Sequence, residues 1–427
     1  MLGLVLFGAM LALMLLGVPI VFSIGLAAVL GTFVIGSAAP WIIIPSSMIN
    51  GMDSFPLLAV PFFILAGELM NRGGIAERLV AFANSLVGHV RGGLGHATVV
   101  SNTMLAMDTG SALAQVAAIG RIMIPAMERR GYDREYATAL SCAASLIGPI
   151  IPPSITMVIY AVAAGASIGG LFLAGIVPGI LIAASLMGYV YVRARLRGEM
   201  PAHQFAGREV LARGKDAILA LLMPFIILGG IFAGIMTPTE SAAVAVLYAI
   251  LAGGLVFRKL TFRDLYESLL NTGVITSFIM LIVGAARIFS DLLASEAVPQ
   301  AIVAGMIGLT DNPYLLLLLV NALLLVVGCV MDTTAAIIIL TPVLLPVVMK
   351  AGLDPMVFGV IMCINLVIGM ATPPVGVALY LASEVGKVKL ERLVVAIWPM
   401  LLVLLGVLLV ITYVPAIPLA LPRYFGF

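Results

Sequence analysis

The sequence predicts an all-α polytopic membrane protein made of two inverted-topology repeats, and three observations carry that reading. Of its 427 residues, 63% are hydrophobic and only 10% charged, whereas soluble domains run near half and a quarter. The sequence also repeats. An offset of 221 residues (369 − 148) places Gly148, Pro152 and Pro153 on Gly369, Pro373 and Pro374, "RGYD" (130–133) on "AGLD" (351–354), Pro125 on Pro346 and Asn50 on Asn271. Finally, the basic residues fall almost entirely on one side once the spans are drawn.

The first repeat is read as residues 1–192. Spans are expected near 2–16, 18–36 and 43–67, each a run close to the ~20 apolar residues that a bilayer requires. The first charged residue is Asp53, so the opening run lacks the basic flank of a secretory signal and reads as a retained helix. Residues 73–92 carry Arg72, Glu77, Arg78 and Arg91 at the ends and on one face, which predicts an interfacial helix. A small-residue-rich stretch at 94–127 is too long for one span and has "MDTGSA" (107–112) at its middle. A re-entrant hairpin with the polar cluster at its tip fits best, since non-helical backbone is tolerated at membrane depth only where protein or a wet cavity receives it. Two tightly joined full spans are the alternative. An interrupted span at 136–165 and a plain span at 170–192 complete the half.

A polar linker at 193–216 leads to the second repeat, 217–427. Its spans are expected near 217–236, 238–257 and 267–288. A second hairpin follows at 313–349 with "MDTTAA" (331–336) at its tip, then an interrupted span at 355–383 and a last span at 392–413. If the hairpins do not cross, each half crosses five times and the second half is inverted. One side then holds 68–96, 128–135, the linker, 257–266 and 384–392, with 18 of the 22 Lys and Arg residues. That side is cytoplasmic, and both termini face outward.

Inverted repeats with interrupted helices at matching positions point to a secondary transporter. Pro152, Pro153, Pro373 and Pro374 cannot continue the hydrogen-bond ladder and free carbonyls one turn earlier. Gly148 and Gly369 are expected to admit backbone shapes closed to other residues. Unwound carbonyls suit a hard cation such as Na⁺, and half-helix N-termini favour an anionic substrate. Net charge is only +2, and no basic face serves nucleic acid. Cys142, Cys329 and Cys363 lack metal or redox spacing and read as packing residues.

The stretches "IMIPAMERRGYDREYATAL", "IGPIIPPSITMVIYA", "MDTTAAIIILTPVLLPVV" and "TPPVGVALYLAS" resemble the large, DctM-like membrane subunit of tripartite ATP-independent periplasmic (TRAP) transporters over essentially the whole chain. The resemblance implies Na⁺-coupled import of a small organic anion, such as a C4-dicarboxylate or sialic acid, across the bacterial or archaeal inner membrane by an elevator motion. It implies a separately encoded small four-helix membrane subunit and a periplasmic substrate-binding protein as partners. It places one Na⁺ site at Thr109, Ser111, Gly148, Ile151 and Pro153 and a second at Asp332, Thr333, Gly369, Thr372 and Pro374, with substrate between the tips. Ser111, Ser154, Thr334 and Arg287 are the residues expected to meet substrate. The first tip departs from the family pattern: "TGSALAQ" (109–115) has Gln115 where an Asp is usual, and Asp108 stands just before it.

Single residues are open to plainer readings. An intramembrane carboxylate is a functional candidate by default. Asp332 can be a Na⁺ ligand, an N-cap of the returning helix, or both. Arg287 either attracts a substrate carboxylate or pairs with Asp291 at the outer interface. Glu68 and Glu240 read as helix-end carboxylates without an assigned role. Two other functions remain as alternatives. One is a standalone Na⁺/dicarboxylate symporter of related architecture. The other, more remote, is an intramembrane protease using Asp108 and Asp332 as a proton-sharing pair.

Overall fold

The computed structural model describes residues 2–34, 40–199, 201, 204–298, 300, 301, 305, 310 and 312–427. Residues 35 and 36 of the second expected span, and 200, 202 and 203 of the linker, lie outside them. Every regular element among the described residues is helical. Among the described residues, eight helical segments are long and apolar enough to cross a bilayer.

The first half opens with α1 (Leu2–Leu15), α2 (Ile20–Val34), α3 (Pro40–Met52) and α4 (Ala59–Arg72). Helix α4 runs five residues past the end expected from hydropathy. The extension is held by the i,i+4 pair Glu68–Arg72 (3.2 Å) and by Arg72 reaching Glu267 (2.7 Å) and Asp264 (3.5 Å) across the fold. The expected interfacial segment is α5 (Ile75–Val87), which buries Ile75, Ala76, Leu79 and Ala83 and exposes Glu77.

The hairpin stretch resolves into α6 (Gly93–Thr109) and α7 (Ala112–Glu128), turned at Gly110. Gly110 has φ +57°, and a Cβ there would come within 2.7 Å of the Pro153 carbonyl oxygen. Both constraints demand glycine. The interrupted span is α8 (Arg134–Ser145) and α9 (Ile155–Ala164), with a break between them. Helix α10 (Ile168–Arg197) is longer than expected, because Arg195 and Arg197 suit the last turn of a helix and Gly198 caps it in the left-handed conformation.

The same succession then recurs. It runs α11 (Gly207–Phe232), α12 (Pro238–Ile250) with a π-helical turn at Leu251–Val256, and α13 (Phe262–Ser295). Then come the hairpin α14 (Pro313–Val330) and α15 (Thr333–Lys350), the broken pair α16 (Pro355–Gly369) and α17 (Val377–Gly386), and α18 (Leu390–Tyr413). Helices α10 and α11 together take up most of the expected linker. A short α19 (Ala416–Phe425), not anticipated from hydropathy, packs on α10.

Two groups of helices emerge from the packing. The hairpins and broken helices interlock: between the halves α17 packs on α7 and α8 and α15 on α9, and within the second half α14 packs on α16. Helices α1–α4 and α11–α13 form the second group, with α4 against α12 and α13, and α13 against α2 and α3. Where the groups meet, α4 touches α6 and α9, and α13 touches α15. Close approach there depends on small residues, as in other membrane helix packings. A Cβ on Gly67 of α4 would lie 3.0 Å from the Asp108 carbonyl oxygen and 3.2 Å from Thr109 Cα.

Candidate functional site

Both hairpin tips open into one cavity of about 270 Å³ between the two helix groups. The first tip contributes Thr109 to Ala114, and the second contributes Asp332, Thr333 and Thr334. Pro149, Ile155 and Thr156 come from the first broken helix and Met370 from the second. The opposite wall is α4 (Ile64, Gly67, Glu68, Asn71) and α13 (Ile275, Phe278, Ile279, Ile282). Three helix N-termini therefore reach the cavity. Each is capped by its own side chain: Ser111 accepts from Ala114 N (3.4 Å), Ser154 from Met157 N (3.3 Å), and Asp332 Oδ1 from Thr334 N (2.9 Å). Asp332 is thus an N-cap, and it is also exposed to the cavity.

The expected first cation site is partly assembled. Gly110 lies against Pro153, which brings Thr109 and Ser111 to the break. Gln115 is fully buried beneath them. With its amide oriented to satisfy its neighbours, the oxygen accepts from Ala106 N (2.8 Å), and the nitrogen donates to Ser145 O and Asn102 Oδ1 (3.2 Å each). Gln115 thereby joins the hairpin to the end of α8. A Cβ on Gly148 would meet this amide at 2.8 Å. Ile151 sends its side chain against Gly179, so only its backbone is free to face a cation.

Two expectations about this break need correction. Neither Gly148 nor Gly369 has a positive φ; each is small because something lies against it, and backbone freedom is not the reason. For Gly369 the neighbour is Gly328 of α14, whose carbonyl carbon would be 2.5 Å from an added Cβ. The carbonyl of Pro149, freed by the prolines, does not stay open either: it accepts from Ser154 Oγ and from Thr156 Oγ1 (3.1 Å). Ser154 is fully buried and does not line the cavity, whereas Thr156 does.

The second site is more open. Gly376, with φ +54°, donates its N–H to Cys329 O (3.2 Å), tying the break to the hairpin beside Asp332. Thr372 donates its hydroxyl to Ile368 O (2.8 Å), and Pro374 is exposed. The buried Thr333 hydroxyl has no hydrogen-bond partner among the described residues. An orphaned oxygen beside a carboxylate suits a hard cation, because a buried polar atom is otherwise costly. Thr334 lines the cavity as expected.

Arg287 is not brought to this cavity. It pairs with Asp291 (3.1 Å) and lines a separate 120 Å³ pocket toward the other end of α13, with Gly51 packed on its stem. Asp108 is buried, its Oδ1 without a partner among the described residues, and it does not line the cavity. The two aspartates of the protease alternative are therefore not presented to one site. Sequence reasoning missed Glu68 and Asn71 as wall residues. Glu68 stood out as a charge at a helix end, but what it faces depends on how α4 meets the tip.

Comparison with known proteins fixes the family. Residues 7–417 match the family model described as the tripartite ATP-independent periplasmic transporter, DctM component. This chain belongs to the DctM family. The DctM chain is 42% identical over 416 residues to the isethionate TRAP transporter permease protein DctMQ of Oleidesulfovibrio alaskensis, covering 97% of this chain but only 65% of that one. It is 38% identical over 438 residues to the C4-dicarboxylate TRAP transporter large permease protein DctM of Rhodobacter capsulatus, covering 99% of each. It is 40% identical to the sialic acid large permease protein SiaM of Vibrio cholerae over 97% of both chains. Among solved structures, the YdaH transporter of Alcanivorax borkumensis superposes with a TM-score of 0.61 at 15% identity, covering 89% of this chain and 90% of that one, a likeness of fold alone. The DctM chain is accordingly a multi-pass membrane protein of the large-permease family.

Proposed function

We propose that this DctM chain is the ion- and substrate-translocating subunit of a Na⁺-coupled importer of small organic anions. The observation that carries the reading is the single cavity into which both hairpin tips open, with the Asp332 carboxylate and the unpartnered Thr333 hydroxyl at one side. Hydroxyls and carbonyls would hold Na⁺ at the first tip, at Thr109, Ser111, Gly148, Ile151 and Pro153, and these with the Asp332 carboxylate at the second, at Asp332, Thr333, Gly369, Thr372 and Pro374. Bound Na⁺ and three helix N-termini supply the positive potential that an anion needs.

In this reading the two halves are inverted repeats, and the interlocked hairpins move as an elevator against α1–α4 and α11–α13. The cavity is walled near the Arg72 end of α4, and the assignment of the basic side to the cytoplasm supports an inward-facing state. A small four-helix membrane subunit would enlarge the static group, and a periplasmic binding protein would deliver substrate. The names of the relatives favour this partnership over a standalone symporter.

The test is uptake into proteoliposomes that contain the permease with its small subunit, supplied with the cognate binding protein. Accumulation is expected only with an inward Na⁺ gradient, and uptake of equal size in choline chloride would sink the coupling. Equal uptake without the binding protein would favour the standalone symporter.

A further inference from the structure

The charges around the cavity select among organic anions, on the reading that this cavity holds the substrate. Among the described residues lining it there is no Lys, Arg or His, and its two charged groups, Asp332 and Glu68, are both acidic. They belong to different walls. Asp332 belongs to the tip wall, where the helix N-termini and the proposed cations lie. Glu68 belongs to the α4 wall, beside Asn71.

The nearest cation to Glu68 is already engaged. Arg72 donates from Nε to Glu68 Oε1 (3.2 Å) and from its terminal nitrogen to Glu267 (2.7 Å) and Asp264 (3.5 Å). Glu267 also takes Arg263 (2.8 Å), so two guanidiniums serve three carboxylates and the local balance stays negative. Asn271 donates to the same Glu68 Oε1 (3.2 Å), while Oε2 takes no hydrogen bond among the described residues. The wall facing the tips therefore offers a carboxylate oxygen and an amide.

We infer that the substrate is a monoanion, a carboxylate or sulfonate, whose far end carries a hydroxyl that donates to Glu68. Its anionic group lies at the tips. A dicarboxylate would set a second negative charge against Glu68, and like-charge juxtaposition weakens binding and so excludes the wrong partner. Glu68 is half-buried, and once a substrate excludes water from it, an acceptor left unpaired penalises a substrate that lacks the donor.

The pair 4-hydroxybutyrate and succinate tests this, since the two differ mainly in a hydroxymethyl group replacing a carboxylate. Binding is read as the Na⁺-dependent rise in melting temperature of the purified permease with its small subunit; isethionate and gluconate are added as further hydroxylated monoanions. At least one hydroxylated monoanion should bind about tenfold more tightly than succinate. Glu68→Gln should narrow that preference to about threefold or less, because the amide keeps a hydrogen-bonding oxygen but loses the charge. Asn71→Asp adds charge on the same wall and should widen it, which keeps the test alive if the first variant is unstable. Succinate binding as tightly as the monoanions overturns the inference, as does an unchanged preference in both variants. Stabilisation by Na⁺ alone, with no anion of this set bound, also overturns it while leaving the cation sites standing. Absence of any Na⁺ response would instead fail the transport reading beneath it.

Discussion

The two hairpin-and-break units share a backbone plan but carry different chemistry. In the first, residues 148–154 are buried throughout, and the carbonyl freed by the prolines is taken up by the Ser154 and Thr156 hydroxyls. Its tip has Thr109, Gly110 and Ser111, and the nearby Gln115 is neutral and fully hydrogen-bonded. In the second, residues 372–375 are half-buried or exposed, and the tip presents Asp332 to the cavity. The first unit resembles a closed hinge-like packing element and the second a site open to an ion. Two units of one backbone plan can thus share the geometry of a broken helix while only one of them carries the charge.

The largest expected effect tests whether the shared geometry matters equally in both. Gly369→Val drives two methyl groups into the Gly328 backbone, which cannot yield, and should abolish transport and lower the melting temperature. Overpacking of this kind costs about 1–3 kcal/mol or more. Gly148→Val presses instead on the Gln115 side chain, so its stability loss should be smaller while transport is still lost. Equal thermal losses in the two variants would remove the distinction between a rigid and a yielding neighbour.

A second comparison concerns charge. Asp332→Asn keeps a good N-cap, since Asn and Asp cap almost equally well, and folding should be unchanged by circular dichroism. The Na⁺ concentration for half-maximal uptake should rise about tenfold or more, or uptake should vanish, as expected when a hard-cation ligand loses its charge. Ser111→Ala at the first tip should shift it less. If the two variants behave alike, the asymmetry between tips has no functional weight.

The smallest effect is the most discriminating. Gln115→Asp restores the carboxylate usual in the family, but Ser145 O and Asn102 Oδ1 would then face it as acceptors. Without a cation this arrangement should destabilise by about 1–3 kcal/mol. The melting temperature of the variant should therefore climb more steeply with NaCl than that of the wild type. A parallel climb would mean that position 115 is outside the reach of the first ion.

Much of this was legible in the sequence because it is local or repeated. The hairpin boundaries fell within a few residues, and the breaks at "GPIIPP" and "GMATPP" were marked by proline chemistry alone. The reason for Gly148 and Gly369 was not legible, since nothing in a one-dimensional pattern says that Gln115 or Gly328 lies against them. Arg287 and Ser154 look like substrate ligands by residue type, but one is satisfied by Asp291 and the other by Pro149. Glu68 shows the opposite failure. Its network joins residues 192 to 203 positions apart.

Helix α13 is pinned to the α3–α4 span at two levels. Arg72 grips Asp264 and Glu267 at one, and Gly51 seats the Arg287 stem at the other. Glu267 and Arg287 are 20 residues apart (287 − 267), about 30 Å along a helix, which is also the thickness of the hydrocarbon layer. Two rails bolted together at both ends of their run keep a constant gauge. On the elevator reading proposed above, the hairpin group would then travel against this pair without the track spreading. The bolt at the Arg72 end is ionic, so high salt, which screens exposed charge, should loosen the track there before it disturbs the end held by packing against Gly51.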